Sequence, residues 1–422
     1  MKKANKNLWA ATCAERIETQ PHTGDTSVDL AIIGGGFTGC SAALSAARQG
    51  ASVIVLEART IGHGGSGRNV GLVNAGLWLP PDQVIAQMGQ EAGERLNTAL
   101  AAGPGRVFDL IDRFDIQCEP VRNGTLHCAH SAPGLADLQN RYSQQQARQA
   151  PVQILDIKSA AQAIGSNKFH GALKDHRAGT VQPLGYAMGL ARAAQQAGAR
   201  LHEHSPADAI FHDGDWRIET PLGKVTARNL LIATNAYHQD FNGLKTDPIV
   251  PVHFFQLATR PLPEPLGAEI LPNNEGCWDT GLIMTSFRKD QAGRFILGAM
   301  GQPDRLGIHR AWAQRALARL FPQLAGQSFA HFWSGRIGMT QDHVPKIRRI
   351  GPNALAVFGY SGRGISPGTV FGESCARALL TQNEAALPIA PINAYSERLT
   401  GAKGQFYETG ARIIHFLGHR TQ

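Results

Sequence analysis

What the sequence has little of narrows the field first. No apolar run approaches the roughly 18 residues that a membrane-crossing helix needs, so an integral helical membrane protein is not expected. Cysteine is scarce and scattered: six in 422 residues, at 13, 40, 118, 128, 277 and 375, with no Cys-x-x-Cys pair. Lys2, Lys3 and Lys6 precede Leu8-Trp9-Ala10-Ala11, too short a stretch for a secretory hydrophobic core. Reduced thiols and a cytoplasmic location are therefore expected rather than a disulfide framework. The pairs His127/His130 and His202/His204 have no Cys or carboxylate at ligand spacing, so no metal site is expected. Acidic residues are outnumbered 33 to 41, a net charge of +8. Such an excess suits nucleic acid or an anionic surface, and equally an enzyme with an anionic cofactor. No RNA-binding tract, repeat or low-complexity stretch is present, and 43% hydrophobic against 18% charged residues argues against disorder.

Glycine, by contrast, is abundant, at 47 residues. Residues 28–33 form an apolar run of strand length that ends in Gly34-Gly35-Gly36-Phe37-Thr38-Gly39 and passes into an Ala-rich helical stretch over 41–48, stopped at Gly50. A second strand over 52–56 ends in Glu57, completing a strand–helix–strand opening. Further on, 183–198 reads as a helix with Pro at its start and Gly at its end. Residues 230–233 form a buried strand running into Thr234-Asn235-Ala236. Over 245–301 the character changes to strands at 252–259, 282–288 and 294–299 between Pro, Gly and Asn turns, as in an antiparallel sheet. A helix over 311–321, a strand over 355–358 and a helix over 369–380 follow.

Three glycine-rich segments carry chemistry. In Gly34-x-Gly36-x-x-Gly39 the glycines let backbone N–H groups approach a pyrophosphate at a helix N-terminus. Glu57, about 20 residues on, is placed to accept both ribose hydroxyls, which disfavours a 2′-phosphate, although Arg59 tempers that. The second segment, 62–71, offers backbone donors, the Ser66 hydroxyl and the Arg68 guanidinium to a second phosphate. The third, 359–365, lies at a strand end before a helix following Pro367, whose N-terminus would stabilise negative charge at the other end of the cofactor.

Together these segments resemble the D-amino acid oxidase / glycine oxidase superfamily of FAD-dependent amine oxidoreductases, and within it the branch containing γ-glutamylputrescine oxidase. The resemblance lies in residues 31–57, 64–69, 251–262, 333–337 with Asp342 and Pro345, and 359–365, in that order. It implies an α/β chain, α+β overall. A glutathione-reductase-type Rossmann domain for extended FAD (26–80, 150–244, 325–390) is interleaved with an antiparallel-sheet substrate domain (81–149, 245–324), and a helical tail follows (391–422). It assigns cofactor contacts to Gly34, Gly36, Phe37, Thr38, Gly39, Glu57, Ala58 and Arg59, then to Gly65, Ser66, Gly67, Arg68, Asn69 and Gly71. Ala207 falls at the adenine, Ala233, Thr234 and Asn235 at a strand end, and Gly362, Arg363, Gly364 and Ile365 at the flavin. Arg336 stands where an arginine grips the substrate carboxylate, the alternative being an internal ion pair with Asp342. Tyr360 either orients substrate or packs in the core, and His63 is either a loop histidine or a point of covalent flavin attachment. Ile296 takes the place of the sarcosine-oxidase branch's lysine, so oxygen reactivity stays open.

The implied reaction oxidises the C–N bond of a small-molecule amine or amino acid, passing hydride to flavin N5 and leaving an imine that water hydrolyses. The acceptor would be O2 or a protein or quinone. A dehydrogenase subunit serving a partner and an RNA-modifying oxidase are the other readings, with no nucleic acid expected. The segment 406–419 reads as a basic amphipathic helix, docked on its own domain or lying on a membrane.

Overall fold

The computed structural model describes residues 7–302 and 307–417. Two sheets of eight strands organise it. In the first, strands run in the order Lys346–Gly351, Ala354–Phe358, Gly223–Ile232, Gly24–Ile33, Val53–Leu56 and Arg200–His202. The last five are mutually parallel. Residues 30–33, 53–56, 230–232 and 354–358 are apolar and buried because both faces of the sheet are covered there. Leu30, Ile32, Val53 and Val55 point into a core shared with the helices Phe37–Ala47, Pro183–Gln196 and Ile365–Thr381. The alternate residues Ala31, Ile33, Ile54 and Leu56 meet Ile210, Trp216 and Ile218 of the hairpin Ala209–Asp213 and Asp215–Thr220 on the other side.

The second sheet runs Phe329–Met339, Val250–Pro261, Arg294–Met300, Ser286–Lys289, Gly276–Asp279, Thr125–Cys128, Ala172–Asp175 and Val152–Leu155. All neighbours are antiparallel except Gly276–Asp279 with Thr125–Cys128. One face is covered by the helix Ile308–Leu320, whose Trp312, Ala313, Ala316, Leu317 and Leu320 lie in one core with Phe255, Leu257, Phe295 and Leu297. The opposite face looks towards the first sheet.

The sheets cut across the segment boundaries expected from sequence. Strands Val152–Leu155, Ala172–Asp175 and Phe329–Met339, grouped above with the Rossmann segments, pair into the second sheet. Helices Pro81–Met88, Gln90–Ala101 and Gly103–Arg113, grouped with the substrate segments, bury Val84, Leu96, Leu100, Val107, Phe108 and Ile111 in the core of the first. Strand partners are chosen by long-range register and helix faces by what they dock on, and composition along the chain reports neither.

At the N-terminal end of the described chain, Leu8–Thr12 is a short helix that buries Leu8 and Trp9. At the other end, Thr400–Leu417 packs Glu408, Ala411 and His415 inward and leaves Phe406, Ile413, Phe416 and Leu417 exposed. Glu408 accepts from the Gln302 N–H at 2.8 Å, and Arg315 donates to the His415 carbonyl at 2.8 Å, so the helix is docked on its own chain. Lys2, Lys3, Lys6, His419 and Arg420 lie outside the described residues. All six cysteines are buried and unbridged. No described helix is long and apolar enough to cross a membrane.

Candidate active site

The first strand ends at Gly34, whose φ of +107° and closeness to the Ala233 carbonyl leave no room for a side chain. The helix Phe37–Ala47 then starts from Gly36 with no side-chain cap, so its first N–H groups stay available apart from that of Phe37, which donates to Ser66 Oγ at 3.1 Å. A Cβ on Gly39 would collide with the Gly34 carbonyl, so this glycine sets the helix against the strand. Glu57, at the end of the second strand, accepts from the N–H groups of Gly35 and Arg59, both at 2.8 Å. Its burial outweighs these two donors and raises its pKa, with Glu203 adding to the rise.

The loop 62–71 is knitted by one side chain. Asn69 Nδ2 donates to the carbonyls of Gly65 and Ser66 at 3.0 and 2.9 Å, and its Oδ1 accepts from the Gly71 N–H at 2.8 Å. Two indoles brace the loop from beneath: Trp9 Nε1 donates to the Asn69 carbonyl at 2.8 Å and Trp333 Nε1 to the Arg68 carbonyl at 2.9 Å. Across the fold, the strand Ala354–Phe358 ends in a turn with Gly359, Ser361 and Gly362 all at positive φ. The helix Ile365–Thr381 follows from Gly364, again with no side-chain cap and starting two residues before Pro367. Tyr360 Oη and Thr38 Oγ1 share a hydrogen bond of 2.7 Å, tying this turn to the first helix, and burial pushes the phenol's pKa up.

These parts surround one cavity of about 670 Å³. At one end lie Glu57, Ala58, Arg59 and Ala207; Gly34, Gly36, Phe37, Thr38, Gly65, Ser66 and Asn69 continue the wall. Ala233, Thr234, Asn235, Tyr360, Gly362, Arg363, Gly364 and Ile365 complete it beside the second sheet. Four residues expected at a cofactor stand off the lining. Gly39 and Gly67 are packed against the Gly34 and Gly62 carbonyls, and Gly71 against that of Val181. Arg68 is turned to His63, with 3.3 Å between Nη2 and Nε2.

An elongated dinucleotide fits this cradle. Two uncapped helix N-termini and a glycine wall face one cavity, and Thr234 Oγ1 is buried there without a hydrogen-bond partner among the described residues.

Arg336 makes no ion pair with Asp342, which pairs with Lys346 instead. Arg336 lines the cavity, although its register partner is His253 whereas Phe254 faces Gly335. Its guanidinium lies 4.7 Å over the Tyr237 ring at the rim, and its own N–H donates to Tyr237 Oη at 2.9 Å. Ile296 is off the cavity, buried with Trp9, Ala258 and Trp333. His63 is on the lining, its pKa lowered by burial and by Arg68 and Arg59.

Sequence reasoning passed over the far wall: Trp78, Phe254, Gln256, Trp278, Met284, Ser286, Ala299 and Met300. Alternation along 250–261 marks two faces without saying which one meets a ligand, so only the pairing of the sheet identifies them.

The profile of the family described as FAD dependent oxidoreductase matches residues 29–378. The chain is 29% identical to the probable oxidoreductase OrdL of Haemophilus influenzae over 377 residues, 86% of this chain and 85% of that one. It is 30% identical to the gamma-glutamylputrescine oxidoreductase of Escherichia coli over 352 residues, 80% of each. Among solved structures, glycine oxidase from Geobacillus kaustophilus shares the fold with a TM-score of 0.72 at 22% identity, over 88% of this chain and 99% of that one.

Proposed function

Since this chain belongs to the family of FAD-dependent oxidoreductases, we propose that it oxidises the carbon–nitrogen bond of an amine or amino acid. The observation that carries the reading is the single cavity joining the Glu57 end of the first sheet to the open face of the second. FAD held there would supply the redox chemistry, as acceptor of hydride from the carbon that bears nitrogen.

The residues of the chain do the rest. Glu57 would receive the ribose hydroxyls, and the N-terminus of Phe37–Ala47 with Ser66 would receive the pyrophosphate. The N-terminus of Ile365–Thr381 would steady negative charge at the far end. Phe254, Trp278, Met284 and Met300 form an apolar wall that keeps water from the reacting carbon and holds the amine neutral. Tyr360 and Arg336 act here as braces, the first through Thr38 and the second through Tyr237, which lies against Gly64. Six buried thiols accord with a reducing compartment, and the cytoplasm is the proposed location.

The test is anaerobic mixing of the FAD-loaded protein with amines, N-alkyl amino acids and D-amino acids, followed at the flavin absorbance. Bleaching by members of the set is expected; a yellow protein that no amine bleaches overturns the proposal. Admitting air or a quinone to the reduced protein then assigns the acceptor.

A further inference from the structure

Arg363 projects from the turn between the strand Ala354–Phe358 and the helix Ile365–Thr381 into the wall where the two sheets face each other. Its guanidinium lies 4.5 Å over the Trp278 ring. That contact engages the charge without consuming its N–H donors. Nη1 reaches the Ala75 carbonyl at a long 3.4 Å, and no carboxylate among the described residues pairs with it. Asp175 attracts it from a distance but is gripped through both oxygens by Arg177, at 2.9 and 2.7 Å. The other nearby cation, Arg141, is paired with Asp137 at 2.7 Å. Burial, with Arg141 beside it, lowers the Arg363 pKa to about 9, which still leaves the group charged at neutral pH.

The surroundings are built, not incidental. Trp278 is stacked on His127, ring centroids 3.4 Å apart, and burial with Arg141 and Arg363 nearby holds that imidazole neutral. Trp278 is 7% exposed, and its Nε1–H has no hydrogen-bond partner among the described residues. Arg363 is half-buried; a partly desolvated charge with no counter-charge is costly, and the buried, unpaired indole N–H of Trp278 adds to the cost. Arg363 and Trp278 both line the cavity, and an incoming carboxylate, whose two oxygens match the guanidinium fork, would answer the unpaired charge.

We propose that Arg363, seated on Trp278, receives the carboxylate of the substrate and so selects amines that carry one. The inference rests on the amine-oxidation reading above and moves Arg363 from the cofactor's contacts to the substrate's. The apolar remainder of such a substrate would lie along Trp78, Met284 and Met300.

The test uses the FAD-loaded wild type, R363M and R363K, titrated with phenylacetate and phenylacetamide while the flavin spectrum is followed. Wild type should bind the carboxylate saturably and prefer it to the amide. R363M should lose roughly 30-fold or more of the carboxylate affinity, and the preference with it. R363K, which keeps the charge but not the fork, should fall between them. Equal carboxylate affinity in wild type and R363M overturns the proposal, as does a wild type that binds the amide equally well. If both variants fail to retain FAD, Arg363 serves the cofactor and the proposal fails. A carboxylate preference that depends on Arg363, in a protein that no amine bleaches, instead sinks the amine-oxidation reading and leaves the anion site standing.

Discussion

Removing the Trp9 side chain tests whether the N-terminal helix is part of the cofactor-binding apparatus. The indole is fully buried, edge-on to Trp333 at 5.8 Å between centroids and under the Arg288 guanidinium at 5.4 Å. Arg288 is itself buried, which lowers its pKa to about 10, and it donates to the Val181 carbonyl at 2.7 Å. Trp9→Ala therefore opens a cavity beside a buried cation, at a cost of about 3–5 kcal/mol, a large share of the ~5–15 kcal/mol by which proteins are stable. It also strips the Asn69 carbonyl of its indole donor, and Asn69 is the residue that shapes the loop 62–71. Trp9→Phe keeps most of the buried area and loses only that donor, a deficit of about 1 kcal/mol. Urea unfolding followed by fluorescence, with FAD content measured after dialysis, should rank wild type, Phe and Ala in that order on both counts. Should the Ala variant unfold at the wild-type midpoint and keep its flavin, the helix is an ornament and the reasoning is wrong. A Phe variant as damaged as Ala would assign the effect to the hydrogen bond rather than to packing.

Two other outcomes follow from the electrostatics. Glu57→Gln should weaken FAD binding about tenfold to a hundredfold, the value of a charge-assisted hydrogen bond to ribose. A flavin fluorescence titration of the apoprotein reads this, and an unchanged dissociation constant would remove Glu57 from the cofactor's contacts. His415 is fully buried against Trp312, and burial with His309 alongside lowers its pKa from 6.5 to about 3. The unfolded chain binds this proton and the folded one does not. Stability should therefore fall by about 1.4 kcal/mol per pH unit as pH drops below 6.5, until the folded pKa is reached. Glu408, whose own pKa is held down by its hydrogen bonds and by Arg412 against the opposing effect of burial, adds its loss only below about 4.5. Urea unfolding at pH 7 and pH 5 should show the wild type losing about 2 kcal/mol more than His415→Gln; parallel losses would refute the assignment.

The strand–glycine–helix opening was legible because everything that defines it is local: an apolar run, three glycines and an acidic residue within 30 positions. Helix 311–321 was equally readable, and forms over Ile308–Leu320. The second sheet was not. Its strands Thr125–Cys128, Val152–Leu155, Ala172–Asp175 and Gly276–Asp279 have four residues each, too few for a period to declare itself, and their partners lie up to 151 residues away. Residues 282–285, read as strand, are loop with Leu282 88% exposed, because only Ser286–Lys289 finds neighbours to pair with. Arginines were the hardest to place. Residue type puts a guanidinium near a phosphate or carboxylate, but Arg68 goes to a histidine, Arg336 to a tyrosine at the rim and Arg363 to a tryptophan in the wall. A long side chain's destination is decided by the three-dimensional neighbourhood, not by the motif that contains it.

The interleaving of the two sheets also bears on how the chain is made. Gly24–Ile33 meets Val53–Leu56 almost as soon as both leave the ribosome, yet its other neighbour, Gly223–Ile232, follows about 190 residues later. At translation speeds of about 5–20 residues per second, that apolar edge waits on the order of 10–40 s for its partner. Throughout that interval it offers unpaired N–H and C=O groups to any neighbouring nascent chain. Yield in a cell will therefore hang on how crowded the polysome is and on what shields the waiting edge.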